Sequence, residues 1–185
     1  MVVVIVGAYA SFYAYASMVL IPEDKKVFKE ELSGIGNSSI TDSDISTLES
    51  EATQIESIDL TIIPADQRKT MADQMRNDPF ITTMNSTIAE LKKNVTNNQE
   101  IASRYDLLLK GDVANNIRSV YSQELINAMD KMNQIMVALP NDLENGDSKA
   151  VANDLRTLAQ LGRELKNMST TSQAKLETVV NQLGG

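Results

Sequence analysis

The sequence predicts an all-α protein: a single N-terminal transmembrane helix followed by an elongated antiparallel four-helix bundle. Three observations predict it. Val2 to Ile21 carries no charge and, at ~1.5 Å per residue, reaches the ~30 Å thickness of a bilayer's hydrocarbon core. Beyond it, apolar residues recur at alternating spacings of three and four, the period of one helix face. The aromatics outside the N-terminal run are Phe28, Phe80, Tyr105 and Tyr121, set among many Leu, Ile, Met, Ala, Asn and Gln. That composition suits helix-on-helix packing better than a β-sandwich.

These signals divide the chain into an anchor (1–22), a juxtamembrane segment with a linker (23–39) and a bundle domain (40–185) with one core. Pro22 and the charged Glu23-Asp24-Lys25-Lys26 end the apolar run as a membrane–water boundary does. A cleaved signal peptide is the competing reading, because Ala14-Tyr15-Ala16 before Ser17 has the form of a processing site, although no Lys or Arg precedes the apolar stretch. Inside the run, Tyr9 and Tyr13 share a face, and Gly7 with Ser11 forms a small-xxx-small pair. Gly7, Tyr9, Ser11 and Tyr13 are therefore the candidate intramembrane contact.

Val27 to Leu32 reads as a short helix broken by Gly34-Ile35-Gly36-Asn37-Ser38-Ser39. Thr41 with Asp44 three residues on forms a capping box and opens a helix with Ile45, Leu48, Ala52 and Ile55 on one stripe, bounded by Pro64. A shorter helix runs from Asp66 to about Asn77. The most regular seam follows: Ile81, Met84, Ile88, Leu91, Val95, Asn98, Ala102, Tyr105 and Leu109, with Gly111-Asp112 as stop and new cap. The next helix is expected to carry Ile117, Tyr121, Leu125, Ala128, Met132, Ile135 and Leu139 and to halt at Pro140. After a turn at 141–146, Asp147 caps a last long helix with Val151, Leu155, Leu158, Gly162, Leu165, Leu176, Val179 and Leu183 on one side, interrupted at Ser169 and Ser172. Heptad spacing of this kind serves either an intrachain core or a coiled coil with another subunit.

Composition excludes several chemistries. The chain has neither Cys nor His, so thiol nucleophiles, disulfides, Ser-His-Asp triads and the usual zinc sites are absent. It has no phosphate-cradling glycine motif. With 17 basic and 25 acidic residues and a net charge of −8, it offers no basic face to nucleic acid. No cofactor and no enzymatic activity are expected. Asp42 and Asp44 sit at a helix start, and Asp142, Glu144 and Asp147 in a turn, where acidic residues cap helices. The 141–147 stretch has calcium-loop character, but Leu143 occupies a ligand position and no distal Glu follows, so no metal is expected. Nine methionines, among them Met71, Met75, Met84, Met129, Met132, Met136 and Met168, read as adaptable core filler. Asn98 on the regular seam reads as a register-fixing polar residue or as the contact of a polar ligand.

Orientation is set by opposing signals. Lys25, Lys26 and Lys29 follow the span, whereas N-x-[ST] sequons at Asn37, Asn85, Asn94 and Asn167 are candidate glycosylation sites. The expectation is a single-pass membrane protein with an extracytoplasmic bundle.

The expected function is that of a non-catalytic, membrane-anchored interaction or accessory subunit, with the membrane and other membrane-protein subunits, or itself, as partners. The layout also resembles the extracytoplasmic four-helix sensor domains of chemoreceptors and sensor kinases, which carry a second membrane pass. A filament subunit assembling through its N-terminal helix is the third class, although the glutamate of a type IV pilin's apolar helix is replaced here by Ile5.

Overall fold

The computed structural model describes residues 13–35 and 40–184. They form seven α-helices: α1 (Ile21–Ile35), α2 (Asp42–Glu56), α3 (Ala65–Arg76), α4 (Pro79–Leu107), α5 (Gly111–Arg118), α6 (Gln123–Asn145) and α7 (Ser148–Gln182). A π turn, Ala16–Leu20, precedes α1, and a short 3-10 turn, Leu60–Ile62, precedes α3. No strand occurs among the described residues, which are all-α.

Two compact units emerge from the packing. Of the described residues, the first takes 13–35, 94–121 and 169–184; the second takes 40–93 and 122–168. α4 and α7 therefore contribute residues to both.

In the first unit, residues 13–15 are already helical, and the helix continues through the π turn and Pro22 to Ile35. Proline has no N–H to give to the carbonyl four residues earlier. The turn before it is accordingly widened, and the Ile21 N–H returns to the Ala16 carbonyl. The expected break at Gly34 does not occur, because Gly34 lies inside α1. Phe28, Ile101, Tyr105, Ile117, Leu176 and Val179 are the buried centre of this unit. Among the described residues no helix is long and apolar enough to cross a membrane; the apolar run is described only from Tyr13 onward.

In the second unit, the Thr41–Asp44 capping box is present in both directions, and Asp147 caps α7 through the Ala150 N–H. α2 is shorter than expected. It ends at Glu56, after which the Leu60–Ile62 turn leads to Pro64. α2 and α7 lie antiparallel, with Asp42 to Lys166 at 2.6 Å, Glu49 to Arg163 at 2.5 Å, and Glu56 bridged to Arg156. Gly162 is buried where a Cβ would meet the Ile45 side chain at 3.3 Å, so its missing side chain is what lets α2 approach. Met84 and Met132 are core as expected, whereas Met71 is exposed.

Two expectations for the middle of the chain are corrected. The helix expected from Asp112 to Pro140 is two helices. Lys110, not Asp112, is the residue before α5, and the chain breaks after Arg118, where Lys175 Nζ donates to the Ser119 carbonyl at 2.7 Å and the Ser122 hydroxyl accepts from the Leu125 N–H. The seam residues Ile117, Tyr121 and Leu125 keep their four-residue spacing across the break, which is why periodicity missed it. The second helix then runs through Pro140 to Asn145, closing on Gly146 at φ 76°. Burial of Leu139, Pro140 and Leu143 on one side carries the helix past the lost hydrogen bond. The stretch expected to be a turn is thus helical as far as Asn145.

Candidate functional site

The most unusual chemistry of the described chain lies where α1 enters the first unit. Asp24, Phe28 and Glu31 share one face of α1 at spacings of four and three, and that face turns inward. Phe28 is fully buried and Asp24 is 4% exposed. Arg104 of α4 meets Asp24, Nη2 to Oδ1, at 2.5 Å, and the Tyr121 hydroxyl donates to Glu31 at 3.1 Å.

Burial raises the Asp24 carboxyl above its ordinary value; the Arg104 guanidinium and the neighbouring Tyr105 hydroxyl oppose that rise. The same burial, with the adjacent carboxylate, pushes the Tyr105 hydroxyl well up, so it stays protonated. Tyr105 adjoins Asp24 without meeting hydrogen-bond geometry, and Asp24 Oδ2, Arg104 Nε and Tyr105 Oη have no partner. Asn98, two turns earlier on α4, is 2% exposed with both amide atoms unpaired. Such groups are costly to bury.

On the other side of this lock the chain is apolar and open. Tyr13 is 44%, Tyr15 54% and Met18 79% exposed, while Ala16 between them is fully buried. Of the residues expected to make an intramembrane contact, Tyr13 is thus the described one; Gly7, Tyr9 and Ser11 lie outside the described residues, as does the sequon Asn37. Asn85 and Asn94 fall within α4 and Asn167 within α7. Asn85 accepts from Asn133 across to α6 at 3.0 Å. None of these three is in a loop, the setting in which a glycan acceptor is usually found.

The second unit holds an open depression of about 540 Å³ lined by residues 56–59 and 145–149. Its carboxylates are already engaged: Glu56 by Arg156, Asp59 by Thr61 and Asp147 by the Ala150 N–H. The Asp154 carboxyl is raised by burial and by the neighbouring Asp142. Among the described residues no three acidic side chains converge as a metal site would require.

No protein-family model, no curated protein and no solved structure matches this chain. The Asp24–Arg104–Tyr105 lock escaped sequence reasoning because Asp24 stands in a charged tetrad that resembles a solvated boundary. The spacing of Asp24, Phe28 and Glu31 was the available signal.

Proposed function

We propose that this chain is a membrane-anchored, non-catalytic helical subunit. In this reading the N-terminal helix docks in a bilayer beside other membrane subunits, and the acidic helical units engage or space a neighbouring component. The observation that carries the proposal is one continuous helix. It runs from the exposed Tyr13, Tyr15 and Met18 into α1, where Asp24 and Phe28 are buried. Residues 13–21, the described part of the apolar run, thereby continue into the folded part as one helix. That suits a protein whose anchor and helical body must keep a fixed relation. The extracytoplasmic side is proposed from the sequons alone.

The test is purification of the intact tagged chain from its own host in mild detergent, with native mass measurement. Membrane-protein partners in fixed stoichiometry that are lost when Gly7, Tyr9 and Tyr13 are each replaced by Leu support the reading. Extraction of the chain from membranes by alkaline carbonate, or a lone monomer or dimer in detergent, overturns it.

A further inference from the structure

The turn joining α4 to α5 places a leucine where the backbone favours glycine. α4 closes in a Schellman motif: the Leu109 N–H donates to the Asp106 carbonyl at 3.0 Å and the Lys110 N–H to the Tyr105 carbonyl at 2.9 Å. Leu109 occupies the left-handed position with φ 56°, which costs a β-carbon-bearing residue strain that glycine avoids. Its side chain is 84% exposed and that of Leu107 is 63% exposed, whereas Leu108 between them is buried. Two large apolar side chains thus stand in solvent, one on a strained backbone. Such an outlier is ground for a functional hypothesis.

Three pairings within the first unit locate this turn. Arg104 meets Asp24, Arg118 meets Asp106, and Tyr121 meets Glu31, seven residues further along α1 than Asp24. From Arg104 the chain goes on to the turn, and α5 then comes back past Asp106 to reach the level of Glu31. The turn therefore lies at the Asp24 end of α1, and α4 runs antiparallel to α1. If the two ran parallel, Tyr121 would fall ~20 Å from Glu31 at ~1.5 Å per residue. The five residues from Arg104 to Leu109 bring the turn about level with Val19 to Ile21. There the exposed Met18 emerges and the uncharged run ends.

We propose that Leu107 and Leu109 form a second membrane contact: an apolar rim that enters the phospholipid interface beside the point where the N-terminal helix leaves it. This rests on reading the N-terminal helix as a membrane anchor. The occupant is lipid because the rim stands about level with the exposed Met18, where the uncharged sequence ends. Lys110, in the same turn, adds a cation of the kind that headgroup phosphates attract. Shallow insertion of two leucines beside an anchor fixes the tilt of the unit against the membrane plane.

The chain has no cysteine, so single-cysteine variants of the full chain report without background. Met18→Cys, Leu109→Cys and Gln173→Cys, the last on α7 toward the opposite end of the first unit, are labelled with an environment-sensitive fluorophore. They are reconstituted into vesicles of phosphatidylcholine and phosphatidylglycerol. Leu107→Cys, at an ordinary helical position, carries the same reading should Leu109→Cys fail to fold. The expected result is several-fold brighter, blue-shifted emission at positions 18, 107 and 109, with quenching by shallow nitroxide lipids at 107 and 109 and no change at 173. A membrane signal at 18 with aqueous labels at 107 and 109 overturns the rim and leaves the anchor standing. Aqueous labels at all positions overturn both.

Discussion

Arg104 Nη2 lies 2.5 Å from Asp24 Oδ1, and the carboxylate it meets is almost wholly withdrawn from water. This pair joins the N-terminal helix to α4 across 80 residues of sequence. Its energetics are those of a charge that burial opposes and a single cation retains. Removing the cation leaves the carboxylate buried alone.

Arg104→Ala is therefore expected to destabilise the first unit by about 2 kcal/mol, below the usual cost of breaking a buried pair because Arg104 is itself part-exposed. Asp24→Asn, which removes the charge and keeps the shape, is expected to cost little at neutral pH. Urea unfolding followed by circular dichroism measures both. Equal losses in the two variants would mean that hydrogen bonding, not charge burial, governs the site.

The same residue sets a pH dependence. The folded pKa of Asp24 lies above the ordinary carboxylate value of 3.8, principally through burial. The folded state then holds the proton more tightly than the unfolded state, and stability from this group is lost as pH rises from 3.8 through the raised value. Asp44 and Asp106 act oppositely. Their carboxyls are held low by Thr41 and Arg118, so their contribution is present above 3.8 and lost as pH falls. The difference in stability between the native chain and Asp24→Asn isolates the first effect. It should become less favourable to the native chain as pH rises; a difference that grows more favourable would show that Arg104 outweighs burial.

Asn98 makes a separate prediction. Both of its amide atoms are buried without partners, so a leucine of similar size should stabilise the chain by about 1–2 kcal/mol. Thermal and urea unfolding of Asn98→Leu check this. A loss of stability instead would mean that the amide holds an ordered water or a polar ligand in the first unit.

In the second unit, Arg68 donates from Nε to the Glu144 carbonyl at 3.1 Å, and from Nη1 to the carbonyls of Leu60 at 3.3 Å and Ile63 at 2.5 Å. Its planar fork thus closes the 60–63 turn onto the end of α6. Lysine cannot serve three carbonyls in those directions. Arg68→Lys is expected to cost about 2 kcal/mol and to raise amide exchange in residues 58–63 ahead of the rest of the unit, as hydrogen-exchange mass spectrometry would report.

Much of this architecture was legible in the sequence where the cause is local. The Thr41–Asp44 box and the Asp147 cap need a few consecutive residues, and both form. The α4 seam is also local, and Met84, Ile88, Ala102 and Tyr105 are buried as the spacing requires, whereas Leu109, expected on the same seam, lies past the helix end and is exposed. What was not legible depends on partners distant in sequence. Pro140 reads as a helix end unless the burial of Leu139 and Leu143 is known. The break after Arg118 depends on Lys175 capturing the Ser119 carbonyl. Asp24 looks no different from Glu23 until Arg104 is placed beside it. The ion pairs of α2 with α7 likewise appear as solvated charge until the antiparallel register aligns them.

The end of α4 shows the same limit and yields the last prediction. Gly111 looked like the stop, yet no positive φ is needed there, and the left-handed residue is Leu109. Leu109→Gly should relieve that strain and stabilise the chain by about 1 kcal/mol, raising the midpoint of thermal unfolding in detergent. The gain is informative because it is paired with a loss. If the exposed side chain serves the membrane interface, Leu109→Gly should be more stable in detergent yet show a wider distribution of label orientations in oriented bilayers. A variant that is more stable and equally ordered would leave Leu109 with a backbone cost and no function. A variant that is less stable would mean that the leucine side chain packs within the turn and offsets its own strain.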